Sequence, residues 1–336
     1  MKKKELERQW MRAVIALACL LPAGCSSDML PDGADREAVN ADPVHVSIME
    51  ASLDAETITA PTSRASSTTS LAQNGKVVKL FLTDANTSGT KYTNRYQEDY
   101  TYSSSAGAWQ AVKPFYVDAR KANIYACYDP NRVVTFATNS TMTATADNLK
   151  AQPNDDAKLW YYDFTNKGVN NANAQLNFTL KCAYSRLTLS LSKTSDYPNS
   201  CKVSQVLFKP STGTFRTAAT VDIASGTLSG TTASNYVINT TSYTMYTSGL
   251  TTVADTSIDL LFPAQKLAAN AGLTFTLTVD GINYSVTVPA AKFNEFKRGV
   301  RHTANLVMSG AGIMVSSVST TDWPSVSNTN VDSKFD

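Results

Sequence analysis

The stretch Leu273-Thr-Phe-Thr-Leu-Thr-Val279 decides the fold class of this chain. Its apolar side chains alternate with threonines at a period of two, which is the pattern of a half-buried strand in an antiparallel sheet. Tyr284-Ser-Val-Thr-Val288 repeats the pattern after a short turn. Helical periodicity is nearly absent beyond the first residues, so the sequence predicts an all-β protein. The same alternation predicts further strands in the segments 78–82, 124–128, 176–191, 203–208 and 258–262.

Turn-forming residues between the strand segments divide the chain into parts. The run Thr194-Ser-Asp-Tyr-Pro-Asn-Ser200 is a cluster of such residues between two strand segments. We therefore predict a boundary there between two antiparallel β-domains, 65–195 and 196–336. The roughly 270 residues after Arg64 are long for one β-domain and sufficient for two, each with its own core. The strand spacing predicts two packed sheets in each domain.

The first 24 residues predict a secretory signal peptide. Five basic residues precede the apolar stretch 13–21, which is too short to span a bilayer, because a membrane helix needs about 20 apolar residues. Ala23 and Gly24 stand directly before Cys25. This order resembles the lipobox at which a bacterial lipoprotein signal peptidase cuts, and it predicts a lipid on Cys25. The alternative is an ordinary cleaved signal beside an incidental cysteine.

The segment 25–64 holds a strand-like run followed by a linker. Val44, Val46 and Ile48 place three apolar side chains on one face of an extended segment that reaches residue 53. A linker rich in serine and threonine follows and contains Arg64 and Ala65. Its composition is typical of an exposed, cleavable loop, and a plain tether between lipid and domain is the alternative. We predict that the run docks as a strand into the amino-terminal domain.

Charge, cysteines and histidines exclude several classes of function. Residues 1–24 carry five basic and two acidic side chains. The remaining chain has 25 Lys and Arg and 26 Asp and Glu. This nearly neutral net charge argues against a nucleic-acid partner. Cys127, Cys182 and Cys201 are an odd remainder; we expect buried free thiols, with a Cys182–Cys201 bridge as the alternative. The chain has two histidines, His45 and His302, which are too few to indicate a metal site or a Ser/His catalytic pair. We therefore expect no enzyme activity, no cofactor and no metal.

Short motifs along the chain carry a family resemblance. They are Thr62-Ser-Arg64-Ala65, Trp109 ahead of Ile124-Tyr-Ala-Cys-Tyr-Asp-Pro130, the strand pair in 176–191, Leu261-Phe-Pro263, Phe296-Lys-Arg-Gly299 before the strand 302–308, and Trp323. Together they resemble the fimbrillin family, the lipoprotein precursors of type V pili in gut and oral Gram-negative anaerobes. The resemblance implies two tandem transthyretin-like β-sandwich domains. It also implies a place on the cell surface, first at the outer membrane and then in the fimbria.

The resemblance further implies a route of assembly. An arginine-specific protease cuts the linker, a neighbouring subunit's carboxyl-terminal strand enters the groove that the first strand leaves, and the cut maps to Arg64. Arg36 competes, but a cut there would leave the strand attached to the domain. The implied partners are other fimbrial subunits, the protease, and outer-membrane lipid through Cys25. The carboxyl-terminal residues predicted to act as donor strand, or as a cap on their own domain in a tip subunit, are Ile313, Val315, Val318 and Trp323.

A second class of function stays open at the level of sequence. The chain could be a lipid-anchored surface protein that binds a glycan or a host ligand and never polymerises. Four aromatic residues could stack on sugar rings in such a protein, although we expect them to pack in the core or at its rim. They are Trp109, Trp160, Tyr161 and Tyr162.

Overall fold

The structure, a computed structural model, describes residues 42–54, 68–86, 92–93, 95–136, 143–150, 152–153, 158–247 and 257–322. All of them belong to one compact unit, Asn40–Asp336. In these ranges the chain forms 28 strands and no α-helix, which confirms the predicted all-β class. Within the same ranges no helix has the length and apolarity to span a membrane.

The strands follow one another in chain order, and all of the strand segments predicted from alternation are among them. They are β1 (Val44–His45), β2 (Ser47–Asp54), β3 (Thr68–Ser70), β4 (Val77–Asp84), β5 (Gln97–Ser103), β6 (Ala108–Gln110), β7 (Tyr116–Val117), β8 (Ala122–Tyr128), β9 (Thr135–Phe136), β10 (Thr143–Lys150), β11 (Gln152–Pro153), β12 (Tyr161–Val169), β13 (Gln175–Cys182), β14 (Tyr184–Lys193), β15 (Lys202–Pro210), β16 (Phe215–Arg216), β17 (Ala218–Asp222), β18 (Thr227–Ser229), β19 (Thr232–Ala233), β20 (Tyr236–Thr244), β21 (Tyr246–Thr247), β22 (Ser257–Pro263), β23 (Gln265–Lys266), β24 (Leu273–Val279), β25 (Ile282–Val288), β26 (Glu295–Phe296), β27 (Val300–Ser309) and β28 (Gly312–Asp322).

An eight-stranded sheet carries most of the first hydrophobic core. Its strand order is β3-β2-β13-β12-β8-β4-β5-β6. On β13 the side chains alternate strictly, and Leu176, Phe178 and Leu180 are buried while their neighbours face outward, as expected for a strand with one covered face. The facing sheet has the order β18-β17-β10-β9, and Phe81 of the large sheet meets Phe136 of β9 with ring centroids 4.8 Å apart. The two sheets therefore enclose one apolar layer.

Two further sheets enclose the second hydrophobic core. One runs β11-β22-β14-β27-β28, with β21 also paired to β14, and the other runs β20-β15-β24-β25. The apolar side chains of β24 are buried and those of Thr276 and Thr278 are only half-buried, so the period-two prediction for this stretch is confirmed. Phe262 packs on Phe296 at 4.7 Å and on Phe208 at 6.1 Å between ring centroids. Aromatic packing thus joins the two sheets.

The two cores do not follow one another strictly along the chain. On β14 the buried residues change from the first cluster at Tyr184 to the second at Leu187, and Leu261 of β22 belongs to the first cluster again. Ala219, Val221 and Ile223 then return to the first cluster. The turn-rich run 194–200 does connect two strands, β14 and β15. The domain limits 65–195 and 196–336 stay a prediction.

The three cysteines and the four aromatic residues named above lie in the hydrophobic cores. Cys127, Cys182 and Cys201 are buried thiols, as expected from their odd number. The four aromatic residues considered for sugar stacking are all buried in the first core, which confirms the expectation of packing; they are Trp109, Trp160, Tyr161 and Tyr162.

Candidate functional site: the inserted strand β2

Strand β2 lies inside the eight-stranded sheet, between β13 and β3. It pairs in parallel with β13 from Ser47, opposite Gln175, to Asp54, opposite Lys181. It pairs antiparallel with β3 through residues 52–54. The predicted first strand is therefore present, and it fills a slot with a sheet edge on each side.

The buried face of β2 differs in part from the sequence prediction. Val46 and Ile48 are buried, at 1% and 5% exposure, but Val44 is 40% exposed. Val44 belongs to β1, which pairs with β7 and not with β13. The expectation that Val44 shares this buried face is wrong, because the chain changes partner between residues 45 and 47.

A β-bulge explains which side chains the sequence analysis missed. The register with β13 shifts between Ile48 and Glu50, so Met49 is the extra residue and points to solvent at 58% exposure. After the bulge the buried positions change parity, and Ala51 and Leu53 enter the core. The alternation predicted from Val44 to Ile48 places buried residues at even positions only and does not include this change. The apolar residues at the odd positions 51 and 53 were the sequence feature that indicated it.

Hydrogen bonds fix the amino-terminal end of β2. The Val46 amide donates to the Phe115 carbonyl at 2.7 Å, and the Ser47 amide donates to the Ala174 carbonyl at 3.0 Å. The Tyr100 hydroxyl donates to the Val46 carbonyl at 3.3 Å. Burial raises the pKa of Tyr100 to about 12, so the hydroxyl keeps its proton and remains a donor. The start of β2 is thus bound to three different segments.

The carboxyl-terminal end of β2 pairs on both sides, with β13 and with β3. The Leu71 amide, just after β3, donates to the Ala51 carbonyl at 2.8 Å. The Asp54 carboxylate lies 3.8 Å from the Lys181 ammonium group, a distance at the outer limit of an ion pair. A half-exposed pair of this kind contributes little, about 0–1 kcal/mol.

The polypeptide linker between β2 and β3 determines whether β2 can be separated from the domain by a single cut. The described residues stop at Asp54 and resume at Thr68, and Arg64 and Ala65 lie in the sequence between them, outside the described residues. A cut at Arg64 would leave β3 on the domain and separate β2 from it covalently. Strand β2 would then be held by non-covalent contacts alone: side-chain packing, the hydrogen bonds of its two ladders and of its two ends, and the contact between Asp54 and Lys181.

The other predicted site residues fall into two groups. Ile313, Val315 and Val318 lie on β28, are half-buried, and pack against the second core. Strand β28 pairs with β27 from Asp322, opposite Val300, to Gly312, opposite Ser309. Cys25 and Trp323 lie outside the described residues, as do the two linker residues of the predicted cut. Among the residues that the structure describes, no three or more His, Cys, Asp and Glu side chains are grouped to bind a metal ion.

Comparisons with known proteins agree with the resemblance found in the sequence. A family model described as fimbrillin-like matches residues 63–323 of the 336-residue chain. A fimbrial protein from Bacteroides vulgatus is similar in structure, with a TM-score of 0.49, 16% identity, and 75% of this chain and 94% of the other covered. A candidate cell adhesion protein from Bacteroides uniformis gives a TM-score of 0.48, 16% identity, and coverage of 83% and 98%. No curated protein matches the chain. The family match begins at residue 63, so it includes β3 and excludes β2.

Proposed function

The chain belongs to the fimbrillin-like family, and on that premise we propose that it is a structural subunit of a cell-surface fimbria, a type V pilus, and polymerises when β2 is replaced by a strand of another subunit. The observation that carries the proposal is the position of β2 between β13 and β3. A strand that is joined to the domain through an arginine-containing linker can be cut loose, and its departure leaves β13 open on one side and removes the partner of the short strand β3.

The apolar side chains of the β2 segment hold it firmly in the sheet, so its release is slow unless another strand takes its place. Val46, Ile48 and Leu53 are nearly fully buried, and each such side chain is worth about 1.5–3 kcal/mol. Together they contribute roughly 5–9 kcal/mol, which is comparable with the stability of a whole domain, about 5–15 kcal/mol. Loss of β2 exposes this apolar slot and the edge of β13. Such an edge pairs readily with an incoming strand.

Processing sets the order of events in this proposal. The precursor is exported, carries a lipid on Cys25 and reaches the outer surface of the cell. An arginine-specific protease then cuts between Arg64 and Ala65. Before the cut the linker keeps β2 at a high effective concentration, and an external strand competes poorly with it. After the cut that advantage is lost.

The carboxyl-terminal end completes the proposal. We take the two hydrophobic cores as the interiors of two tandem transthyretin-like sandwiches. Strand β28 supplies Ile313, Val315 and Val318 to the second of them. In the precursor it pairs with β27 and caps its own domain, and the same strand is the candidate donor for a neighbouring subunit.

Replacement of the processing arginine tests the proposed function. Arg64→Ala should yield a monomeric precursor after treatment with an arginine-specific protease, whereas the parent chain should form oligomers visible as a ladder on gels. Arg36→Ala is the matched control, because a cut at Arg36 does not free β2, and this variant should polymerise like the parent. Equal polymerisation of the parent and Arg64→Ala, or none in a parent shown to be cut at Arg64, would refute strand exchange. The alternative of a lipid-anchored binding protein would then be favoured.

A further inference from the structure

The buried side chains of β2 have a spacing that a strictly alternating strand lacks. Val46 and Ile48 are buried before the bulge at Met49, and Ala51 and Leu53 are buried after it. The buried positions are therefore i, i+2, i+5 and i+7, and the extra residue directly follows the second of them. A strand that follows the same path through the sheet has to place its core-facing residues at this spacing.

Strand β28 has the same spacing and its own bulge. Ile313, Val315 and Val318 are half-buried and pack against the second core. The register with β27 shifts directly after Val315, so Ser316 is the extra residue, and its side chain is exposed. In both strands the bulge thus follows the second of two alternating apolar residues.

Alignment of the two bulges relates the strands residue by residue. Three apolar residues of β28 then coincide with buried positions of β2, and the bulge residues coincide with each other. At the fourth buried position β28 has a threonine. The pairs are Ile313 with Val46, Val315 with Ile48, Ser316 with Met49, Val318 with Ala51 and Thr320 with Leu53.

Strand β28 differs from the other bulged strands in its place in its sheet. Apart from β2, register shifts also occur in β10, β12 and β15. Each of these three strands pairs with a neighbour on both sides, whereas β28 pairs with β27 and ends its sheet among the described strands. Of the bulged strands in the described ranges, β28 is therefore the one that leaves its sheet by breaking a single ladder.

We propose that the bulge sets the register of the exchange: β28 of a second copy replaces β2 parallel to β13, with Ser316 at the position of Met49. The inference rests on the proposed function, since it concerns the same slot, and it adds which residues meet there. In this register the three apolar residues of β28 enter the first core of the neighbouring copy, on both sides of the bulge.

Burial favours β28 in the slot over β28 in its own domain. Its three apolar side chains are half-buried at the edge of the second core. The positions that they would take, Val46, Ile48 and Ala51, are 1%, 5% and 2% exposed, so the exchange removes further apolar surface from water. The ladder with β27 is lost, and ladders with β13 and β3 replace it. The segment 312–321 contains no charged residue, so no charge loses its hydration.

Three synthetic peptides test this register against one without the bulge. They have the sequence of residues 311–322, the same sequence with Thr320→Leu, and the same sequence with Thr321→Leu. The bulged register places residue 320 at the buried position of Leu53, whereas strict alternation from Ile313 would bury residue 321 instead. Each peptide is added to full-length precursor that carries a fluorophore ahead of residue 44 and has been cut with an arginine-specific protease. The fall in fluorescence anisotropy reports release of β2.

The two leucine peptides should differ clearly. Thr320→Leu should lower the peptide concentration at half-release at least roughly tenfold, because a larger apolar side chain is buried. Thr321→Leu is the matched control, since it adds the same side chain at the next position, on the outer face. Its half-release concentration should stay within about twofold of that of the unchanged peptide.

Disulfide mapping tests the same register in the polymer. Ser52 is opposite Thr179 in the precursor, so the proposed register brings Ser319 of a second copy opposite Thr179. Equal amounts of the Thr179→Cys and Ser319→Cys precursors, cut together and then oxidised, should form a disulfide-linked pair on non-reducing gels. Ser317→Cys in place of Ser319→Cys is the matched control. It is exposed like Ser319 but lies about 6.6 Å away along the strand, and it should link at least roughly tenfold less.

The outcomes separate the register from the exchange itself. Equal linking by Ser317→Cys, or a gain from Thr321→Leu as large as that from Thr320→Leu, would overturn the register while strand exchange stands. The register also fails if none of the peptides releases β2 from a cut chain that polymerises, because another segment is then the donor. If the cut parent chain forms no polymer, the proposed function itself fails.

Discussion

Truncation of Ile48 should accelerate the release of β2 from the cut precursor by roughly 50-fold. Ile48 is 5% exposed and lies on the buried face of β2. The change Ile48→Ala removes three carbon atoms from the core, each worth about 0.8 kcal/mol, or about 2.4 kcal/mol in total. Because about 1.4 kcal/mol corresponds to a factor of ten, the expected change in retention of the strand is close to 50-fold. A cavity left behind would increase it further.

The assay compares dissociation rates in the absence of any competing strand. The precursor carries a fluorophore ahead of residue 44, and dilution after cleavage at Arg64 starts the dissociation, which is followed by anisotropy. Met49→Ala is the matched control, because Met49 is the bulge residue beside Ile48 on the same strand and is 58% exposed. Its release rate should stay within about twofold of the parent, since surface substitutions rarely exceed about 0.5 kcal/mol. Equal rates for Ile48→Ala and Met49→Ala would refute the claim that apolar burial retains β2.

Two further predictions concern stability. Burial, with a smaller repulsion from Lys297, lowers the pKa of His302 from 6.5 to about 4. As the pH falls, the unfolded chain therefore binds a proton at this histidine before the folded chain does. The free energy of unfolding should decrease by on the order of 3 kcal/mol between pH 6.5 and pH 4. His302→Gln should remove that part of the pH dependence in urea denaturation, and an unchanged profile would contradict it. Asp259 accepts two hydrogen bonds from Arg186, at 2.6 and 3.2 Å, so Asp259→Ala should cost about 1.5–3 kcal/mol. Asp99→Ala, which breaks a more exposed ion pair with Lys79, should cost about 0–1 kcal/mol in the same assay; similar losses would refute the distinction.

The sequence predicted the strands well, because alternation reports directly which face of a strand is covered. In β24 every second residue is apolar and each of these is buried. Strand β13 shows the same correspondence. The arrangement of strands was less accessible, because pairing partners are distant in sequence. Nothing local indicates that β17 returns to the first core, and nothing local places β2 parallel to β13.

The inserted strand shows where the pattern misleads. Val44 has the right residue type and spacing for the buried face, yet it pairs with Val117 of β7 and stays exposed. The bulge at Met49 inverts the parity of the strand, and a bulge depends on the partner strand as much as on the bulged sequence. A cavity of about 150 Å³ beside Leu53 could not be predicted at all, since four separate segments of the chain line it.

A reversible covalent link between β2 and β13 would show whether polymerisation requires β2 to leave the sheet. Ser52 and Thr179 are register partners in this ladder, and neither side chain belongs to the buried core. Neighbouring strands lie about 4.7–4.9 Å apart, and disulfides need a Cα separation of about 4.4–6.8 Å, so cysteines at both positions are expected to form a bridge. The experiment treats the Ser52→Cys, Thr179→Cys precursor with an arginine-specific protease and measures polymer by gel filtration, first oxidised and then reduced. We predict cleavage at Arg64 without polymer in the oxidised state, and polymer at the level of the parent chain after reduction. Polymer of equal amount and rate in the oxidised, cleaved protein would contradict strand exchange at β2.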